Sequence, residues 1–458
     1  MKGIDVESID PTTGKVVATY TETTPDEVAH HLATAATLQK VWATTEMAHR
    51  RSHMLRLADI LERRADELAE LMALEMGKPL AQGRAEAEKC AWVCRYYADE
   101  AEAILADKHI EAGRTKSYVA YRPLGVVLAV MPWNFPLWQV LRFASPTMMA
   151  GNGVILKHAS NVTGCAIAID EMIVEAGFPD GLLRTLVIPS SRVAKIIDDD
   201  AIVAVTLTGS DIAGRAVASR AGAALKKTVL ELGGSDAYVI LEDADVDLAV
   251  QACGAGRLLN GGQSCIAAKR FIVHESVVDE FTAKLVDVME SYTMGNPFDA
   301  DSQIGPMART DLRDELHDQV VRSVAAGAQL LTGGFVPDGP GAFYPPTVLA
   351  GVTKGMAAYS EETFGPVATI ITVSHEEEAI AVANDSIFGL AGAVFTRDVE
   401  RGERIARDRI ESGTYFVNAF AASDPRLPFG GIKASGYGRE LSHVGMREFT
   451  NMKTIVVN

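Results

Sequence analysis

A series of short, continuously apolar runs separated by helical patterns constrains this chain's fold more than any other feature. Val126-Val127-Leu128-Ala129-Val130-Met131 is followed by Val154-Ile155-Leu156-Lys157, Thr185-Leu186-Val187-Ile188, Val203-Ala204-Val205-Thr206-Leu207 and Thr228-Val229-Leu230-Glu231. Runs without polar alternation belong to strands covered on both faces, as in a parallel sheet. Amphipathic segments at about 138–149, 162–177, 191–198 and 211–224 supply the crossover helices. This alternation predicts a doubly wound α/β domain, although the usual GxGxxG dinucleotide fingerprint is absent.

Upstream, residues 9–22 read as short strands around Pro11-Thr12-Thr13-Gly14, and Thr24-Pro25-Asp26-Glu27 reads as a capped helix start. Helical character continues to about Ala106. Leu57, Ile60, Leu61, Leu68, Leu71, Met72 and Met76 recur at core-facing spacings before Gly77. A second α/β unit is expected from about 234 to 435. The segment Lys116–Arg122 and the C-terminal Thr454-Ile455-Val456-Val457 read as outlying strands. Unpaired edges of that length are an aggregation hazard in a monomer.

The net charge of −17 argues against a nucleic-acid backbone or an anionic membrane as partner. No apolar run is long enough to span a membrane. The stretch Met1–Glu7 lacks the apolar core of a secretory signal. Five cysteines without a CxxC pair fit a reducing compartment, so a cytoplasmic protein is expected. Cys90 and Cys94, at i and i+4 on a helix, read as packing residues, and no metal site is expected.

Chemistry concentrates in a few motifs. Cys265 closes the glycine-framed run Gly261-Gly262-Gln263-Ser264-Cys265, and Glu231 precedes its own glycine pair in Glu231-Leu232-Gly233-Gly234. A cysteine among small residues is by itself an ordinary packing residue. Paired with a carboxylate able to drive water, it points to covalent catalysis through sulfur. Pro132-Trp133-Asn134-Phe135-Pro136 and Glu362-Thr363-Phe364-Gly365-Pro366-Val367 supply further parts of one site. Thr208-Gly209-Ser210-Asp211-Ile212-Ala213-Gly214 follows a strand and opens a helix, where N–H groups favour a pyrophosphate.

With PWNFP, LTGS, LELGG, GGQSC, EETFGPV and LPFGGIKASGYGRE in this order, the chain resembles an aldehyde dehydrogenase of the NAD(P)-dependent superfamily over nearly its whole length. It resembles in particular the short bacterial succinate-semialdehyde dehydrogenases that read Lys157-His158-Ala159-Ser160. The resemblance implies an aldehyde-dehydrogenase-like α/β fold. Its expected parts are a cofactor-binding domain (1–107 and 124–233), a catalytic domain (234–435) and a small β oligomerisation flap (108–123 and 436–458), with a homodimer or homotetramer as the assembly. It makes Cys265 the nucleophile, Asn134 an oxyanion donor and Glu231 the base that activates water. Trp133, Lys157, Ser160, Gly209, Ser210, Gly214, Leu232, Glu362 and Phe364 fall to the cofactor. Ser160 stands where NAD-preferring relatives often carry an acid, so NADP is expected, with NAD as the alternative. Arg142, along the helix that follows Asn134, matches a carboxylate-binding arginine. Relatives often carry a second arginine where this chain has Leu259, and a serine to which Ser423 corresponds. Arg426 is the candidate replacement for the missing charge. The implied substrate is a small aldehyde with a distal carboxylate such as succinate semialdehyde, with a general aliphatic or other ω-carboxy aldehyde dehydrogenase as the alternative.

Overall fold

A computed structural model describes residues 5–458. The first four residues, part of the stretch read for a secretory signal, lie outside the described residues. Val126–Met131 forms the centre of a six-stranded sheet. The strand order is Gly436–Tyr437, Lys227–Glu231, Ile202–Thr208, Val126–Met131, Gly153–His158, Leu183–Thr185. All neighbours are parallel except the short Gly436–Tyr437 edge, which runs antiparallel to Lys227–Glu231. The chain adds Gly153–His158 on one side of the central strand and Ile202–Thr208 on the other. The loops leaving Met131 and Thr208 therefore diverge, and a crevice opens at the carboxyl ends of the strands.

The expected strand over 185–188 forms earlier, at Leu183–Thr185. Leu186 still donates its N–H to the Leu156 carbonyl, at 2.8 Å, but Val187 turns to accept from Thr23. Pro189 then prevents any extension of the ladder.

The second sheet has seven strands in the order Gln329–Thr332, Thr347–Ala350, Val367–Val373, Ala268–His274, Asp236–Ile240, Gly392–Phe395, Phe416–Val417. Only its first strand is antiparallel to its neighbour. The helices Met47–Arg63, Ala65–Met76 and Leu80–Ile104 cover the first sheet and contribute Leu57, Leu61, Leu68, Met72 and Met76 to its largest core cluster. Cys90 and Cys94 are fully buried in that cluster, as packing residues should be.

Lys116–Pro123 pairs antiparallel with Thr450–Val457 on one side and Lys108–His109 on the other. The C-terminal strand is longer than expected and, among the described residues, leaves one edge unpaired. Residues 436–449, assigned to the flap from sequence, are not part of this small sheet. Gly436–Tyr437 pairs with Lys227–Glu231, and the helix Ser442–Glu448 packs on the helices Leu80–Ile104 and Trp138–Met149. Among the described residues, no helix is long and apolar enough to cross a membrane.

Candidate active site

Cys265 reaches its place by an unusual descent from the helix Val246–Leu258. Asn260, Gly261 and Gly262 all take left-handed backbone angles, with φ of 57°, 61° and 74°. Gly262 lies against the backbone of Gly365, where any Cβ would collide. Gly234 does the same beside the nucleophile, since a Cβ there would stand 2.6 Å from the Cys265 carbonyl oxygen. The glycines that frame both motifs thus let three backbone segments converge on one partly buried cysteine. Burial pushes the Cys265 thiol up to about 11, against the opposing pull of the Arg142 and Lys269 charges.

Asn134 lies between the strand Val126–Met131 and the helix Trp138–Met149, 3 % exposed. Its side-chain amide donates to the Gln263 carbonyl at 3.1 Å, within the turn that carries Cys265. Its backbone carbonyl accepts from Asn260 Nδ2 at 2.8 Å and from Lys78 Nζ at 3.1 Å. Lys78 is itself ion-paired with Glu86, and the two side chains are 1 % and 3 % exposed. Glu86 Oε1 accepts from the N–H groups of Leu137 and Trp138, at 2.9 and 3.0 Å. A buried carboxylate therefore caps the helix that follows Asn134, as the helix dipole favours.

Glu231 ends its strand with the side chain buried and neither carboxyl oxygen hydrogen-bonded. Its Oε1 would be 2.5 Å from a Cβ on Gly430, so the glycine of the PFGG motif makes room for the carboxyl group. Burial first, and then the Glu440 charge, push the Glu231 carboxyl well above the ordinary range. Arg142 and Arg439 oppose that shift.

Arg142, 2 % exposed, is ion-paired with Glu440, sits 4.7 Å from the Phe429 ring centroid and donates to Thr208 Oγ1 at 3.4 Å. Its charge acts at both Cys265 and Glu231. Arg142, Cys265, Ser423, Trp138 and Phe429 border a cavity of about 180 Å³. Leu259 is on its wall too. Arg426 is not. Its guanidinium forks onto Asp424, beside it in the same turn, and is 66 % exposed against Trp92, so it cannot replace a charge inside the cavity.

The residues assigned to the cofactor lie at or beyond the carboxyl ends of the first sheet's strands, except Glu362 and Phe364, which lie on the loop before Val367–Val373. Lys157 ends the strand Gly153–His158, with Nζ 3.3 Å from Ser190 Oγ, and Ser160 begins the next turn. Ser210 caps the helix Asp211–Ala223 by accepting from the Ala213 N–H at 3.3 Å, and Gly209 donates to the Glu231 carbonyl. Gly214 has no room for a side chain, because a Cβ would lie 2.6 Å from Leu232. Glu362 accepts from the Gly234 N–H at 2.9 Å and from Lys269 Nζ at 3.3 Å. The Trp133 and Phe364 rings meet edge-on at 5.7 Å. Asp211, Glu362 and Phe364 line one open cleft, which joins a helix start on one sheet to a loop of the other. A dinucleotide needs N–H groups at a helix start, a cation and a carboxylate for hydroxyl groups, which the Asp211–Ala223 start, Lys157 and Glu362 can supply, although Lys157 is not on the wall of that cleft.

Lys78, Glu86, Lys89 and Glu440 were not singled out in the sequence. Gln82, Glu86 and Lys89 recur at helical spacing and all three face the cavity, but Arg84 and Glu88 stand among them, so spacing alone does not set them apart.

The chain belongs to the aldehyde dehydrogenase family, whose model matches residues 2–455. It is 49% identical over 453 residues to a Mycobacterium tuberculosis protein named succinate-semialdehyde dehydrogenase [NADP(+)] 1, covering 98% of this chain and 99% of that one. A Synechocystis protein named probable succinate-semialdehyde dehydrogenase [NADP(+)] is 48% identical, over 98% of this chain and 99% of its own. Among solved structures, the succinic semialdehyde dehydrogenase of Streptococcus pyogenes in complex with NADP+ superposes with a TM-score of 0.97 at 40% identity, covering 99% of each chain.

The Glu86 cap yields a stability prediction. Glu86→Ala leaves the buried Lys78 cation without its carboxylate and two helix-start N–H groups without their acceptor, a loss of about 3–5 kcal/mol. Calorimetry should show the unfolding temperature falling by several degrees. The double variant Lys78→Met, Glu86→Gln, which keeps an acceptor at the helix start, should recover part of that loss. An unchanged transition in Glu86→Ala would show that the pair does not hold this region.

Proposed function

We propose that this protein oxidises succinate semialdehyde to succinate with reduction of NADP+. The observation that carries the reading is Cys265 on the wall of a small cavity, with the Asn134 amide bonded to the turn that carries it and one cation, Arg142, acting on both Cys265 and Glu231. The names of the mycobacterial and streptococcal relatives support the substrate and the cofactor.

Cys265 sulfur attacks the aldehyde carbon and gives up its proton, forming a thiohemiacetal. The Asn134 side-chain amide and the Cys265 backbone N–H stabilise the oxyanion, and one such donor is commonly worth about 10²–10³ in rate. NADP+, when bound, supplies the acceptor for the hydride that leaves this carbon. The resulting thioester is opened by water that Glu231 deprotonates, and the acid is released. Lys157, Ser160, Gly209, Ser210, Gly214, Leu232, Trp133, Glu362 and Phe364 would hold the dinucleotide. Arg142 and Ser423 border the cavity that would take the substrate. Because Cys265 and Glu231 both act deprotonated and both have raised pKa values, turnover rises with pH across the neutral and alkaline range. The protein works in the cytoplasm as a homodimer or homotetramer, with the unpaired Thr450–Val457 edge as the expected contact. Light scattering that gives only a 49.0 kDa particle would exclude this assembly.

The deciding experiment compares succinate semialdehyde with butanal, using NADP+. Succinate semialdehyde should lead in kcat/KM by at least about 10-fold, the scale of one charge-assisted contact. Equal values would leave a general aldehyde dehydrogenase.

Cys265→Ala should abolish oxidation while retaining NADP+ binding. Glu231→Gln should give a burst of reduced cofactor followed by slow turnover, read by stopped-flow absorbance. Steady turnover by the Cys265 variant would remove the mechanism.

Ser160→Glu tests the cofactor reading. A hydroxyl can donate to a 2′-phosphate, whereas a carboxylate repels it. The wild type should favour NADP+ in kcat/KM, and the variant should shift toward NAD+. A wild type that favours NAD+ would refute the assignment.

A further inference from the structure

The cations that border the cavity are Lys78, Lys89 and Arg142, and they are not equivalent. Lys78 is committed to Glu86 and to the Asn134 carbonyl. Arg142 is committed to Glu440. Lys89 has no carboxylate within ion-pairing distance among the described residues. Its Nζ donates to Ser423 Oγ at 2.8 Å and lies 4.4 Å from the Trp138 ring centroid. The Ser423 hydroxyl, already accepting from Lys89, keeps its own proton free to donate. An ammonium and a hydroxyl side by side, both facing the cavity and neither spent on an acid, make a two-point receptor for a carboxylate.

Lys89 and Ser423 share the cavity wall with Cys265 and Arg142. The Arg142 charge acts on both the Cys265 thiol and the Lys89 ammonium, so the three belong to one small cavity. Glu86 and Asp424 also act on Lys89, but Glu86 is paired with Lys78 and Asp424 is forked by Arg426. Trp138 holds the Lys89 ammonium inside by a cation–π contact, so the charge does not swing out to water.

We infer that Lys89, acting with Ser423 and not through Arg142 or Arg426, binds the distal carboxylate of the aldehyde and sets the preference for ω-carboxy substrates. The inference rests on the substrate class proposed above and names the residue that selects it. Lys89 is therefore a specificity-determining residue contributed by the helix Leu80–Ile104, which carries none of the family motifs.

Burial, followed by the Arg142 charge, pulls the Lys89 ammonium down to about 8, while Cys90, Glu86 and Asp424 act in the opposite direction. The free enzyme loses this charge as pH rises through that value. Affinity for an anionic aldehyde should then weaken at alkaline pH, while affinity for a neutral aldehyde should not.

The test measures kcat and KM for succinate semialdehyde and butanal, with NADP+, in the wild type, Lys89→Met and Lys89→Arg. Calorimetry on each variant confirms folding. In Lys89→Met, the succinate-semialdehyde to butanal ratio of kcat/KM should fall at least about 10-fold, mainly through KM. Lys89→Arg should keep most of the preference. The alkaline rise in KM for succinate semialdehyde, present in the wild type, should vanish in Lys89→Met. A wild-type preference that survives Lys89→Met overturns the assignment, as does an equal loss on both aldehydes. A wild type with no preference overturns the substrate class itself, and so is distinguishable from failure of Lys89 alone. If Lys89→Met does not fold, Ser423→Ala carries the same comparison, and an unchanged ratio there overturns the two-point receptor.

Discussion

The buried pair between Lys78 and Glu86 holds together the parts on which the site depends. Removing two charges from water costs several kcal/mol each and must be offset locally. Here the offset comes from the surroundings as much as from the pair. Glu86 takes up the N–H groups of Leu137 and Trp138, and Lys78 takes up the Asn134 carbonyl and lies over the Phe135 ring. One ion pair thereby joins the helix Leu80–Ile104 to the loop that carries Asn134 and to the start of the helix that carries Arg142. The Asn134 amide then meets the turn of Cys265 through Gln263, and that turn is fixed by left-handed residues with no room to relax.

Burial also sets the electrostatics of the reacting groups. Cys265, Glu231 and Glu440 are all pushed toward their neutral forms, because each is far from water and the carboxyl groups lie near one another. Arg142 is the charge common to all three and lowers each of them. The site therefore disfavours charge on both its nucleophile and its base, and each becomes reactive as its proton leaves. Burial acts in the same sense on Lys89, on the wall of the same cavity, where favouring the neutral form lowers the pKa, and the Arg142 charge adds to that shift.

Much of this was legible in the order of residues. Continuous apolar runs can be stable only as covered strands, so the six-stranded sheet followed from Val126–Met131 and its successors. The glycines beside Cys265 and Glu231 marked places where backbones come close, and Gly262, Gly234 and Gly430 all do so. The strand boundary near 183–188 is not legible, because apolarity alone does not distinguish a ladder from a buried loop. Nothing local marks Gly436–Tyr437 as the edge of another sheet, so the sequence does not separate it from the C-terminal strand.

The sequence by itself determined the α/β class, the covered strands and the motifs that bear the cysteine, the glutamate and the asparagine. These depend on local chemistry and periodicity, which the chain states residue by residue. Only the tertiary structure decided which charges are spent and which are free. Arg426 reads as a candidate cation until Asp424 is seen holding it at the rim. Lys89 reads as an ordinary helix-surface lysine until Ser423, distant in the chain, is brought to its ammonium. The physical reason is that a charge is defined by its partners and its access to water, and both are contributed by segments far apart in sequence.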